Sequence, residues 1–96
     1  MSITFTRLAQ LGVIPVNDDP AYEKLIALDL PEEVIGMAAQ LLGHLVVAVT
    51  PNQINYQEGK GMGFAQGLSF TDALDTEQEV ELKKVFEQAA KHRLEK

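Results

Sequence analysis

The amino-acid sequence predicts an α+β fold, with N-terminal helices first, then a small antiparallel β-meander of about three strands, then a long amphipathic C-terminal helix. Three observations carry that prediction. Pro20 and Pro31 stand directly before apolar repeats of helical period, next to acidic residues that suit a helix N-terminus. After Leu45 the composition turns to β-branched residues, and two successive turns bring apolar side chains onto one face. From about Asp75 or Thr76 to Leu94 the chain interleaves charge pairs with apolar positions in the manner of a surface helix.

Taken in order, the first expected element is a short helix from about Thr6 to Leu11, capped by Thr6 and stopped by Gly12. In "NDDPAYEKLIALDL", Asp19 can accept from orphan amides while Pro20 takes the first helical position, where a missing N–H costs nothing. Tyr22, Leu25 and Ile26 then share a face. In "LPEEVIGMAAQLLGHL", Pro31 opens the helix and Glu32 and Glu33 complement its dipole. Val34, Ala38, Leu41, Leu42 and Leu45 line one side, which makes this the central core helix. Gly36 and Gly43 are one heptad apart on that helix, so they offer a groove in which another backbone can pack closely.

The meander rests on register. A turn "TPNQ" with Pro51 and Asn52 at its tip sets Val49 opposite Ile54 and Val47 opposite Tyr56. A second turn centred on Gly59 sets Tyr56 opposite Met62 and Ile54 opposite Phe64. All six apolar residues then fall on one face. One local rule opposes the first turn, because a two-residue hairpin wants positive φ at its first tip residue and Pro51 is fixed near about −65°. The first turn is therefore wider, or the preceding helix runs on through "VVAVT" to Pro51 and leaves a two-stranded hairpin. In the last helix, Thr76 and Glu79 fit a capping box, and Glu79–Lys83 and Glu87–Lys91 are i,i+4 pairs.

"INYQEGKGMGFAQG" holds four of the chain's seven glycines around one lysine, which raises the question of phosphate binding. A Walker loop requires Ser or Thr after its lysine, and Lys60 is followed by Gly61. A dinucleotide fingerprint requires GxGxxG ahead of a long helix, and "GMGFAQG" has one residue too many. Hairpin turns account for Gly59 and Gly61, and Gly63 is an outward position. His44 and His92 have no carboxylate or histidine partner at i,i+3 or i,i+4, so no metal pair forms, and no cofactor is expected. No nucleophile sits beside a base, and the chain reads as a non-enzyme.

Ninety-six residues suit a single domain over positions 1–96, with no linker and no internal repeat. Without cysteine there is neither a disulfide framework nor a thiolate metal site, which fits a cytoplasmic protein. No segment reads as a signal peptide or a membrane span. The net charge of −6 is placed unevenly, with nine acids against three bases in residues 1–76 and five of each in 77–96. That balance argues against nucleic acid, whose binding needs clustered Lys and Arg. Two fragments, "LAQLGVIPVN" and "AAQLLGHLVV", have the outline of a helix-turn-helix start but lack base-reading side chains downstream.

The function expected from these exclusions is that of a small acidic interaction or regulatory protein that binds another protein, with Asp18, Asp19, Glu32 and Glu33 as the contact set for a basic partner. The alternative is a small-molecule binder with Tyr56, Met62 and Phe64 as pocket walls between sheet and helices. An enzyme whose site is assembled across subunits is a third reading. The last helix also suggests a homodimer. Relative to Leu82, the residues Val85, Phe86 and Ala89 fall within about 60°, whereas Ala90, Leu94 and Val80 fall at roughly 80°, 120° and 160° and form a second stripe. The first short helix could cover this stripe within the chain; the alternative is the same stripe of a second copy, which makes Val80, Ala90 and Leu94 the expected dimer interface.

Overall fold

The computed structural model describes Gln10 and residues 20–95. Among the described residues there are four bounded helices and no strand: α1 (Ala21–Ala27), α2 (Glu32–Val46), α3 (Pro51–Phe70) and α4 (Thr76–Leu94). The fold is therefore all-helical, which corrects the α+β class and its meander. The short helix expected over Thr6–Leu11 lies outside the described residues except for Gln10, which is helical.

The meander fails because "TPNQ" is a helix start. Thr50 takes the N-cap position with extended backbone, and its Oγ1 accepts from the Gln53 amide at 3.1 Å. The Gln53 side-chain oxygen accepts in return from the amides of Thr50 at 3.2 Å and Val49 at 3.0 Å. Pro51 occupies the first helical position. This is a complete capping box, and it satisfies three donors that a helix end or its approach would otherwise orphan. Once Pro51 starts a helix, side chains two residues apart diverge by about 200°. Ile54 is buried and Tyr56 is exposed, while Val47 and Val49 stand outside on the linker, so the six apolar residues do not share a face.

α3 is intrinsically a poor helix. Its four glycines each cost about 1 kcal/mol relative to Ala, roughly 4 kcal/mol together. Packing offsets this. Ile54, Gly61 and Ala65 are buried, and Met62, Phe64 and Leu68 pack at the edge of the core. A Cβ on Gly61 would stand 2.4 Å from Cγ and Cδ1 of Phe86, so here the glycine is what lets α3 and α4 approach. Among the described helices these two form the most extensive contact.

The end of α3 is a Schellman motif. Ala73 N–H donates to the Leu68 carbonyl at 2.8 Å and Asp72 N–H to the Ser69 carbonyl at 3.1 Å, with Asp72 left-handed at φ 63°. Glycine is the usual residue at such a position, and aspartate tolerates it through its short polar side chain. The turn delivers Leu74 into the core and Asp75 to the N-cap of α4. The capping box there is Asp75 with Gln78, one residue earlier than the Thr76–Glu79 pair expected from sequence. Glu79 is thereby left to bond Lys83 at 2.6 Å.

α2 is the central helix, as its sequence predicts, and touches α1, α3 and α4. Ile35, Ala38, Ala39, Leu42 and Leu45 are fully enclosed. Tyr22 of α1 lies against it, with its side-chain Oη 3.4 Å from where a Cβ on Gly43 would be, an ordinary contact rather than the close backbone approach expected there. α4 closes the core with Leu82, Val85, Phe86, Ala89 and Ala90, each large one contributing about 1.5–3 kcal/mol by burial. Side-chain bonds also tie the layers. Lys24 Nζ donates to Gln88 Oε1 at 2.9 Å, joining α1 to α4, and Arg93 Nε donates to the Ala48 carbonyl at 2.7 Å, pinning the end of α4 to the α2–α3 linker.

Candidate functional site

The sequence-predicted contact set divides. Asp18 and Asp19 lie outside the described residues. Glu32 and Glu33 occupy the first turn of α2, where both are exposed and both complement the positive end of the helix. One and two turns on, Gly36, Met37 and Gln40 continue the same face, and the five residues line an open groove of about 380 Å³. Met37 is 55% exposed. A flexible, polarizable thioether between two carboxylates and an amide suits a partner that is apolar at its centre and cationic at its edge.

The expected dimer stripe does not form as a unit. Val80 and Leu94 are about half exposed, but they sit fourteen residues apart, about 21 Å along α4. Ala90 is 1% exposed and belongs to the core. The reason lies in what α4 touches: with α1, α2 and α3 all against it, its buried arc is wider than that of a helix with one neighbour, and it takes in Ala90 as well as Leu82.

The two ends of the α3–α4 pair each gather exposed apolar residues. The Arg93–Ala48 bond brings Leu94 towards the linker that carries exposed Val47 and Val49. At the opposite end the Glu79 carboxyl is held below its ordinary range, first by Lys83 and then by the Ser69 hydroxyl, which joins the end of α3 to the start of α4. Phe70 and Val80 are the exposed neighbours of that bond. Midway, Glu58 of α3 and Glu87 of α4 face each other; partial burial, and then the charge of Glu87, raise the Glu58 carboxyl above its usual range.

The walls proposed for a small-molecule pocket do not meet. Tyr56 is exposed, whereas Met62 and Phe64 pack against the core. A cleft between the α1–α2 turn and α4, lined by Leu28, Leu30, Asp75, Glu77, Gln78 and Glu81, encloses about 160 Å³, below the roughly 300–1,000 Å³ of ligand pockets. Among the described residues, no group of His, Asp or Glu could hold a metal ion, and no helix is long and apolar enough to cross a membrane.

Sequence reasoning missed the outward face of α3, where Tyr56 and Phe70 flank Gly59, Gly63 and Gly67. The signal for it was present as glycines spaced by four, which is meaningful only once residues 51–70 are read as a helix. Compared with family models, with characterised proteins and with solved structures, the chain matches none.

Proposed function

We propose that this chain is a small non-catalytic protein-binding module that takes a cationic partner segment on the face of α2 formed by Glu32, Glu33, Gly36, Met37 and Gln40. The observation that carries this is the groove itself: an exposed methionine and two carboxylates on one side of a helix whose opposite side is fully committed to the core. The charges steer and orient a basic segment, and Met37 supplies an apolar anchor that can adapt to its shape. Asp18 and Asp19, just ahead of α1 in the chain, extend the same sign of charge. Nucleic acid is not the expected ligand, because a −6 chain with three bases in its first 76 residues repels a phosphate backbone. We further propose a cytoplasmic location, with which a cysteine-free chain is compatible.

The test is capture from the source cell in parallel with the natural sequence, with Glu32→Lys together with Glu33→Lys, and with Glu77→Lys as a charge control elsewhere on the surface. A partner held by the first and third and lost by the second supports the proposal, particularly if amide shifts on binding map to residues 32–40. A partner held equally by all three would place the binding surface elsewhere.

A further inference from the structure

The outward face of α3 is exposed, and its residues are symmetrically spaced. Tyr56, Gly59, Gly63, Gly67 and Phe70 lie within a stripe about 80° wide. Tyr56 is 65% and Phe70 91% exposed. At Gly59, Gly63 and Gly67, among the described residues, no atom lies within 4 Å of where a Cβ would stand. The spacing mirrors about Gly63, with glycine four residues to either side and an aromatic seven residues to either side.

We propose that this face is a homodimer interface in which two copies of α3 cross antiparallel, with the twofold axis at Gly63. Such an axis sets Gly63 on Gly63, Gly59 on Gly67 of the second copy, and Tyr56 on its Phe70. Aromatic meets aromatic at both ends, and the bare backbones meet between them. A twofold contact requires one surface to complement itself, and the mirrored spacing does so. Lys60 lies at the edge of the stripe, about 60° from Gly63, with its Nζ 5.6 Å from the Tyr56 ring centroid. The two aromatics anchor the contact but do not supply its whole area. A Phe or Tyr offers about 150–250 Å², so the exposed parts of these two supply about 300 Å² of the roughly 800 Å² each partner buries in a standard interface. The glycine backbone, the Lys60 stem, Asn52 and Gln66 border them. This interface leaves the α2 face free and stands independently of the function proposed for it.

The chain contains no cysteine, so single-cysteine variants report the geometry directly. Mild oxidation is expected to link Gly63→Cys to its own copy. It should leave Tyr56→Cys alone unlinked, because its two copies would stand about 21 Å apart along the helices, and should link a mixture of Tyr56→Cys with Phe70→Cys. Light scattering coupled to size exclusion, from micromolar to submillimolar protein, should give a two-chain mass at the upper end. Phe70→Glu and Gly63→Leu should each give one-chain mass throughout with helical circular dichroism unchanged. A one-chain mass for the natural sequence at every concentration would overturn the proposal. So would a dimer that survives both variants, or one abolished only by Val80→Glu with Leu94→Glu, which would assign the contact to α4.

Discussion

Gly61→Ala adds one carbon at the tightest point of the α3–α4 contact. That carbon would lie 2.4 Å from Cγ and Cδ1 of Phe86 and 2.8 Å from Cδ2, whereas carbon atoms in good contact stand about 3.5–4.0 Å apart. The ring or the helix must therefore retreat by more than about 1 Å. Phe86 has no exposed surface and is enclosed with the core residues of α2 and α4, so its movement strains other contacts. Overpacking of this kind costs typically about 1–3 kcal/mol, and the displacement puts the cost at the upper end. Helix propensity returns about 1 kcal/mol, so the net loss is about 1–2 kcal/mol, or roughly 4–16 °C in melting temperature. At Gly59, Gly63 and Gly67 a methyl group meets nothing, and Ala should stabilise each by about 0.5–1 kcal/mol. The assay is urea denaturation followed by circular dichroism at a protein concentration low enough to keep single chains. The sign must reverse between positions 61 and 63. In a β-meander both glycines point the same way, so equal effects at the two positions would refute the helical packing argued here.

Three further outcomes follow from particular residues. Asp72→Gly should stabilise by about 1 kcal/mol, because the Schellman turn holds position 72 left-handed and glycine adopts that conformation without penalty; chemical denaturation checks it, and a loss would mean that the aspartate side chain supplies more than it costs. Ile54→Ala should cost about 2–4 kcal/mol and Asn55→Ala less than about 0.5 kcal/mol, measured by the same melts, since the first side chain is buried and the second is exposed. Glu58→Gln should stabilise at neutral pH. The folded state raises the Glu58 carboxyl above its ordinary range, so the group favours folding while protonated and loses that contribution as pH rises through the raised value; the gain from Gln should therefore be largest at neutral pH and vanish in acid, and a gain independent of pH would rule out the burial and Glu87 as its cause.

The helices built on strong period and termini are legible in the sequence. α2 and α4 appear where their apolar faces put them, and Pro31, Glu32 and Glu33 mark the start of α2 as the dipole argument predicts. Residues 51–70 mislead because two periods fit the same letters. Ile54 and Tyr56, and again Met62 and Phe64, are spaced by two, which satisfies a strand, while Ile54, Gly61, Ala65 and Leu68 are spaced for a helix with two of its core positions nearly bare of side chain. Glycine hides the helical stripe by contributing no hydrophobicity to it. The deciding signal was local: Thr50 followed by Pro51 and Gln53 is a capping box with proline at the first helical position, and the poor fit of Pro51 to a hairpin tip pointed to it.

The candidate surfaces follow the same division. Glu32 and Glu33 are legible because exposed acids at a helix start need only charge and position, whereas the groove beside Met37 requires knowing which side of α2 the core takes. Ala90 was assigned outward because a single helical wheel does not count neighbours, and three helices around α4 widen its buried arc.

The central claim is that Pro51 to Phe70 form one continuous helix, on which the closure of the core and the symmetric outer face both depend. Backbone resonance assignment tests it most directly. A continuous helix gives helical Cα shifts without interruption from Pro51 to Phe70, sequential amide–amide contacts through all four glycines, and a contact between the Gly61 α-protons and the Phe86 ring. Extended-chain shifts over residues 53–57 and 61–65, with cross-strand contacts between Tyr56 and Met62, would contradict it.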